Sequence, residues 1–120
     1  MQTEIKLKEK TLTACLSGEI DHHSAAFARA QIDEAITTSK PEKMILDFTE
    51  VSFMDSSGIG LVMGRYKLLH TQGCPLVLCG LSPHIEKVMR LAGLEQIVTI
   101  EKKQKQTVSK QKEIQYESQK

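Results

Sequence analysis

The sequence predicts one α/β domain built on a mixed sheet, with an N-terminal β-hairpin followed by repeated βα units whose helices pack on the sheet. Short apolar runs typical of strands alternate with stretches in which apolar residues recur every three or four positions. The 120 residues, 40% hydrophobic and 26% charged, suffice for one globular core. In this architecture the central strands are parallel, and functional groups belong on loops at their carboxyl ends.

The first half of the chain predicts a hairpin, a helix and a strand. Apolar and polar residues alternate on both sides of Glu9 and Lys10, which indicates two antiparallel strands. Ser24 can cap the helix that follows, and Pro41 ends it. The apolar run 44–48 then predicts the third strand. The buried stripe of the helix is expected to comprise Ala25, Ala28, Ile32, Ala35 and Ile36.

The second half predicts two further helices and two further strands. A helical period begins at Ser57, and residues 76–79 form the next strand. Ser82 caps a third helix with Pro83 at its first position, and residues 97–100 close the sheet. The buried stripe of the second helix is expected to comprise Ile59, Val62, Met63, Tyr66 and Leu69.

Composition narrows the classes of partner. Lys and Arg number 16 against 15 Asp and Glu, so net charge gives no reason to expect nucleic acid or anionic lipid. The start of the chain lacks the apolar segment of a secretory signal, and no apolar run approaches the ~18 residues of a membrane span. Three cysteines do not suggest a disulfide framework. We expect a cytoplasmic protein without nucleic-acid or membrane partners.

Residues 1–100 form the predicted folded domain, and residues 101–120 differ from it in composition. This last stretch carries six basic and three acidic side chains and few apolar ones. Such a segment cannot bury enough surface to offset the entropy lost on ordering. We therefore expect a polar, disordered tail.

Two predicted strand-to-helix loops, residues 18–24 and 53–60, carry most of the polar chemistry. If the strands before them are parallel neighbours, both loops open on the same edge of the sheet. Serine, aspartate and glycine are also the residues that helix N-termini use, so capping alone is an alternative interpretation. The side chains expected to meet at this edge are Asp21, Asp55, Ser56 and Ser57.

Two enzyme-like readings of these loops lack residues that they require. A serine nucleophile elbow needs Gly-x-Ser-x-Gly, but Asp55 stands where a glycine would precede Ser57. The chain contains histidines and cysteines, which are residue types that bind zinc, but their spacing matches no known zinc-binding pattern. We therefore expect neither hydrolase chemistry nor a bound metal.

Two other readings stay open. Gly58, Gly60 and Gly64 at a helix start resemble a dinucleotide-binding fingerprint, which would make the protein a nucleotide-dependent enzyme. The acidic residue that such folds place about 20 residues later is absent. Alternatively, Ser56 is a modification site, exposed at the helix start in a short stretch that a kinase can engage.

Four segments together resemble the anti-sigma factor antagonists of the STAS domain family. They are residues 18–25 (GEIDHHSA), 52–60 (SFMDSSGIG), 64–67 (GRYK) and 81–83 (LSP), in order within residues 3–100. Asp-His-His and Gly-Arg-Tyr-Lys favour the sporulation branch of the family, which acts on sigma-F. The resemblance implies the STAS fold for the predicted domain.

The resemblance also implies a regulatory switch that has no cofactor and is not an enzyme. In the family the first serine of Asp-Ser-Ser-Gly, here Ser56, is phosphorylated by the anti-sigma factor, an ATP-dependent serine kinase. Unphosphorylated antagonist binds this kinase and displaces the sigma factor, and a phosphoserine phosphatase restores that form. Asp21 matches the family's acidic residue beside the phosphorylation site. The residues expected to flank Ser56 or face the partner are Asp55, Ser57, His22, Gly58, Ile59 and Gly60.

Simple electrostatics predicts where such a switch acts. A phosphate on Ser56 adds about −1.5 to −2 charge units at neutral pH. We expect the amides and dipole of the helix start to favour it, and Asp21 and Asp55 to oppose it. These effects roughly cancel inside the protein, so the penalty falls on the docked interface. A phosphorylation-independent STAS scaffold is the remaining alternative.

Overall fold

The computed structural model describes residues 1–101, which contain five strands, three α-helices and a short 3-10 turn. The strands are β1 (Gln2–Lys8), β2 (Thr11–Ile20), β3 (Lys43–Met54), β4 (Leu76–Cys79) and β5 (Thr99–Ile100). The helices are α1 (His22–Ser39), α2 (Ser57–His70) and α3 (Pro83–Leu91), and the 3-10 turn spans Leu94–Gln96. The predicted tail lies outside the described residues except for Glu101.

The five strands form one sheet in the order β1-β2-β3-β4-β5, which confirms the predicted α/β class. β1 is antiparallel to β2, and β2 to β5 are parallel neighbours. Glu9 and Lys10 form the hairpin turn with φ angles of 50° and 71°, the left-handed geometry that two-residue hairpins favour. From β2 to β5, each helix connects a strand to its next neighbour, always toward the same edge of the sheet. Right-handed connections of this kind place all three helices on one face.

The helix-facing side of the sheet forms a single hydrophobic core. Burial alternates along β2 and the first half of β3, so every second side chain points into this core and the others face the open side. Phe48 is the largest side chain that is almost fully buried, at 1% exposure. The core residues that α1 contributes are Ala28, Ile32 and Ile36, which are the centre of the predicted stripe.

Two predicted strand boundaries were wrong, and the predicted buried stripe of α2 was only partly right. The third strand runs to Met54, well past the predicted end at residue 48, because its pairing with β2 continues through two register shifts. The last strand contains two residues instead of four, since a 3-10 turn precedes it. On α2 the buried side chains are Leu61, Val62, Arg65 and Leu69, with the predicted Ile59, Met63 and Tyr66 only half-buried.

Candidate functional site

β2 and β3 end side by side at one edge of the sheet. Ile20 is the register partner of Met54, and the backbone N–H of Asp55 donates to the carbonyl of Ile20 at 3.0 Å. Asp21 and Asp55 each follow one of these paired strand ends. The two loops singled out in the sequence therefore open on the same edge, as the parallel arrangement predicts.

Asp21 is the N-cap of α1. The N–H of Ser24 donates to Asp21 Oδ1 at 2.8 Å, and the N–H of Asp21 donates to Ser24 Oγ at 2.9 Å. Hydrogen bonds to the exposed Asp21 carboxyl, first from the Ser24 backbone N–H and then from the Ser24 side chain, hold its pKa below its usual value. The prediction that Ser24 is the cap was wrong by three residues, because both members of a capping box are good capping types.

Asp55 organises the start of α2. Its Oδ1 accepts the N–H of Ser57 at 2.8 Å, and its carbonyl accepts the N–H of Gly58 at 3.0 Å. The carbonyl of Ser56 accepts the next two amides, at 3.1 and 3.3 Å. The amides of residues 57–60 are thus already bonded within the chain. These amides are therefore not free to cradle a nucleotide phosphate, and a phosphate on Ser56 would gain from this helix start mainly through the helix dipole.

Ser56 occupies the N-cap position of α2 without using its side chain as a cap. Its backbone is helical, with φ −63° and ψ −16°, and its hydroxyl makes no capping hydrogen bond. The residue is exposed. Capping therefore explains Asp21 and Asp55, whereas the exposed Ser56 follows Asp55 directly and caps nothing. A hydroxyl of an exposed residue that makes no capping hydrogen bond can act as the nucleophile toward a phosphoryl donor held by a docked protein.

The two glycines of this segment have different surroundings. Gly58 is buried, and a Cβ built on it would collide with Cγ and Sδ of Met54. It was expected on the partner-facing surface, but it is buried, and its lack of a side chain leaves room for Met54 where β3 turns into α2. Gly60 is exposed with nothing within 4 Å of an added Cβ. Close approach from outside is therefore possible at Gly60.

The remaining predicted site residues differ in exposure. His22 is exposed and lies in the first turn of α1 instead of in a loop, because the helix starts directly after Asp21. Ile59 is half-buried and packs against the core, and Ser57 is half-buried. Of the residues expected to face a partner, His22 and Gly60 are the most accessible.

A groove of about 350 Å³ lies between the N-terminal halves of α1 and α2. Across the helix pair, Arg65 Nε lies 2.6 Å from Asp33 Oδ1. Arg65 is 5% exposed, and its Nη1 also donates to the carbonyl of Leu61 at 3.3 Å. Arg65 belongs to the Gly-Arg-Tyr-Lys segment quoted above, but its burial was not predicted, although its place between Leu61 and Leu69 in the helical period could have indicated it. The lining residues are His22, Ala25, Ala26, Arg29, Ser57, Gly60, Leu61 and Arg65.

The three cysteine thiols are buried or half-buried. Cys15, Asp47 and Cys79 occupy neighbouring positions on the open side of β2, β3 and β4. Burial, with Asp47 adding to it, raises the pKa of Cys79 to about 12. Within residues 1–101 no three His, Cys, Asp or Glu side chains are grouped to hold a metal ion. None of the helices in this range is both long and apolar enough to cross a membrane.

Comparison with known proteins gives one consistent family. The STAS domain model matches residues 2–108. The anti-sigma F factor antagonist of Paenibacillus polymyxa is 37% identical over 100 residues, which are 83% of this chain and 86% of that protein. The unphosphorylated form of the anti-sigma factor antagonist SpoIIAA superposes with a TM-score of 0.74 at 33% identity, covering 85% of this chain and 90% of that one. The phosphorylated form of SpoIIAA, a Bacillus cell fate determinant, gives a TM-score of 0.68 at 33% identity, covering 85% and 93%.

Proposed function

This chain belongs to the STAS domain family, within which it is an anti-sigma factor antagonist, and we propose that phosphorylation of Ser56 decides whether it binds its anti-sigma factor. In the unphosphorylated form it binds the anti-sigma factor, which is also a serine kinase, and thereby releases the sigma factor. The kinase then modifies Ser56, and a phosphoserine phosphatase reverses the modification. The role is regulatory, without catalysis by this chain.

The exposed Ser56 hydroxyl, which caps nothing, is the observation that carries the proposal. A relative at 33% identity is known in both an unphosphorylated and a phosphorylated form, which supports a phosphorylation switch in this chain. The flanking Asp21 and Asp55 carboxylates keep the helix starts in place through their hydrogen bonds. Phosphorylation of Ser56 therefore changes the charge of this surface, while the hydrogen bonds of Asp21 and Asp55 keep its shape.

Electrostatics supplies the switching energy. A phosphate adds about −1.5 to −2 charge units, and the first amides of α2 are already bonded, so none of them is free to neutralise it. A partner that covers this edge must strip water from the added charge beside two carboxylates. Moving a complex from nearly full to nearly empty takes about 5.5 kcal/mol of differential affinity. A dianion in a desolvated contact can supply much of that.

The other predicted site residues form or support the docking surface around Ser56. His22, Ile59 and Gly60 contribute to the surface that the anti-sigma factor covers, and Gly58 supports that surface by packing on Met54. We further propose that the protein acts in the cytoplasm and that the transcription it controls is that of sporulation. The similarity to an anti-sigma F factor antagonist supports the latter.

The test is phosphorylation by the anti-sigma factor of the same organism. The purified chain is incubated with that protein and ATP, and the modified peptide is located by mass spectrometry. We expect a single phosphate on Ser56, and none on a Ser56→Ala variant that still binds. Modification of Ser57 alone would move the site by one residue and refute the assignment to Ser56. The absence of any modification, with ATP hydrolysis by the kinase verified, would overturn the proposed switch.

A further inference from the structure

We propose that the groove between α1 and α2 is a second contact point with the anti-sigma factor, at which Arg29 binds a carboxylate of that partner. The inference rests on the proposed function, because it concerns the same complex. It assigns a role to charges that the Ser56 switch does not use.

The charges around the groove do not balance within the described part of the chain. Arg65 of α2 forms an ion pair with Asp33 of α1. Arg29 also lines the groove and is exposed, and within residues 1–101 no acidic oxygen lies within 4.0 Å of its guanidinium. Arg65 thus has a carboxylate partner and Arg29 has none among the described residues, which leaves the positive charge of Arg29 unbalanced in the groove.

The closeness of the two arginines is visible in the ionisation of Arg65. Burial lowers the pKa of its guanidinium, Asp33 opposes this effect, and the positive charge of Arg29 lowers the pKa further. An arginine guanidinium in a protein keeps its positive charge at neutral pH. An incoming anion would relieve the repulsion between the two cations, which favours binding of negative charge.

The groove is continuous with the phosphorylation site. Its wall includes Ser57 and Gly60 from α2 and His22 from α1, which are sequence neighbours of Ser56 and Asp21. Small side chains at Ala25 and Ala26 leave the space between the helices open. The groove is therefore within reach of a protein that covers Ser56. The planar guanidinium of Arg29 offers two parallel N–H groups, the geometry that binds a carboxylate of a glutamate or aspartate.

The occupant is a carboxylate of the partner and not the phosphate of this chain. Ser57, one residue after Ser56, lines the groove, whereas Ser56 does not. The test is therefore done in a Ser56→Ala background, in which no phosphate can form. Affinity for the purified anti-sigma factor is measured by titration calorimetry at two salt concentrations for Arg29→Ala, Arg29→Glu and the matched control Arg90→Ala. Arg90 is an equally charged, exposed residue of α3, paired with Glu86 outside the groove.

We expect Arg29→Ala to weaken binding about tenfold, with a smaller salt dependence, and Arg29→Glu to weaken it further, because a surface charge mainly affects electrostatic attraction. Arg90→Ala should leave the affinity unchanged. One acid-to-lysine change in the partner should restore the affinity of Arg29→Glu. If the Ser56→Ala protein binds tightly and both Arg29 variants bind equally well, the groove is not a contact point. If the Ser56→Ala protein itself fails to bind, the proposed function fails first.

Discussion

Asp55 Oδ1 accepts the backbone N–H of Ser57 at 2.8 Å, and this bond leaves the intervening Ser56 hydroxyl free of any capping role. The carboxylate of Asp55 therefore bonds the first amide of α2 in place of the hydroxyl of Ser56, the residue that follows it. A serine used as the cap would have its hydroxyl turned inward to the amides. Here Ser56 is exposed and its hydroxyl makes no capping hydrogen bond, so under the proposed switch its modification would change the docking face and not the helix.

A negative charge at position 56 should weaken the complex with the anti-sigma factor. We expect Ser56→Asp to lose about tenfold or more in affinity, because the carboxylate would be desolvated beside Asp21 and Asp55. Ser56→Ala should bind nearly as the parent does. Gln72→Glu adds the same charge at the other end of α2 and serves as the control. Equal affinity of Ser56→Asp and the parent would instead favour a phosphorylation-independent scaffold.

Gly58→Ala should destabilise the fold. The new methyl group overlaps Cγ and Sδ of Met54, and overpacking of this kind costs about 1–3 kcal/mol. Gly64→Ala is the matched change in the same helix, with nothing within 4 Å of the added atom, and should stabilise by about 0.5–1 kcal/mol. Urea unfolding of both variants compares the two effects. A Gly58→Ala protein as stable as Gly64→Ala would mean that Met54 moves aside at no cost.

Removing the Asp33 carboxylate should leave the Arg65 charge buried without its counter-ion. We expect Asp33→Ala to lower the free energy of unfolding by about 1–3 kcal/mol, less than for a fully enclosed pair because the Asp33 side chain is 36% exposed. Glu86→Ala breaks the exposed pair with Arg90 and should cost only about 0.3–0.5 kcal/mol. Similar losses for the two variants in chemical unfolding would contradict the asymmetry.

The Asp21 cap should make part of the stability depend on pH. Its hydrogen bonds lower the folded-state pKa, so its contribution is complete above the unfolded value of 3.8 and is lost as the pH falls through the lower folded value. Asp21→Ala should therefore unfold a few degrees below the parent at pH 7, with the gap closing under strongly acidic conditions. Asp21→Asn keeps a capping oxygen without the titration, so its smaller gap should vary less with pH. A gap that widened on acidification would refute this assignment.

Local patterns predicted most of the fold but only part of the site. Alternation around Glu9 and Lys10 and the helical period after Ser57 are short-range signals, and both were confirmed. The helical period indicates that Arg65 is buried, but its pairing with Asp33 depends on how α1 and α2 pack, and the contact of Gly58 with Met54 depends on how β3 turns into α2. The choice between Asp21 and Ser24 as cap was undecidable from residue type, because each bonds the other's amide.

The central claim is that one phosphate on Ser56 separates this antagonist from its anti-sigma factor. The most direct measurement compares the affinity of the unmodified chain with that of the chain stoichiometrically phosphorylated on Ser56, titrated into the anti-sigma factor under the same conditions. We predict tight binding by the first and a loss of about three orders of magnitude or more for the second, approaching the differential that a full switch requires. Equal affinities for the two forms would contradict it.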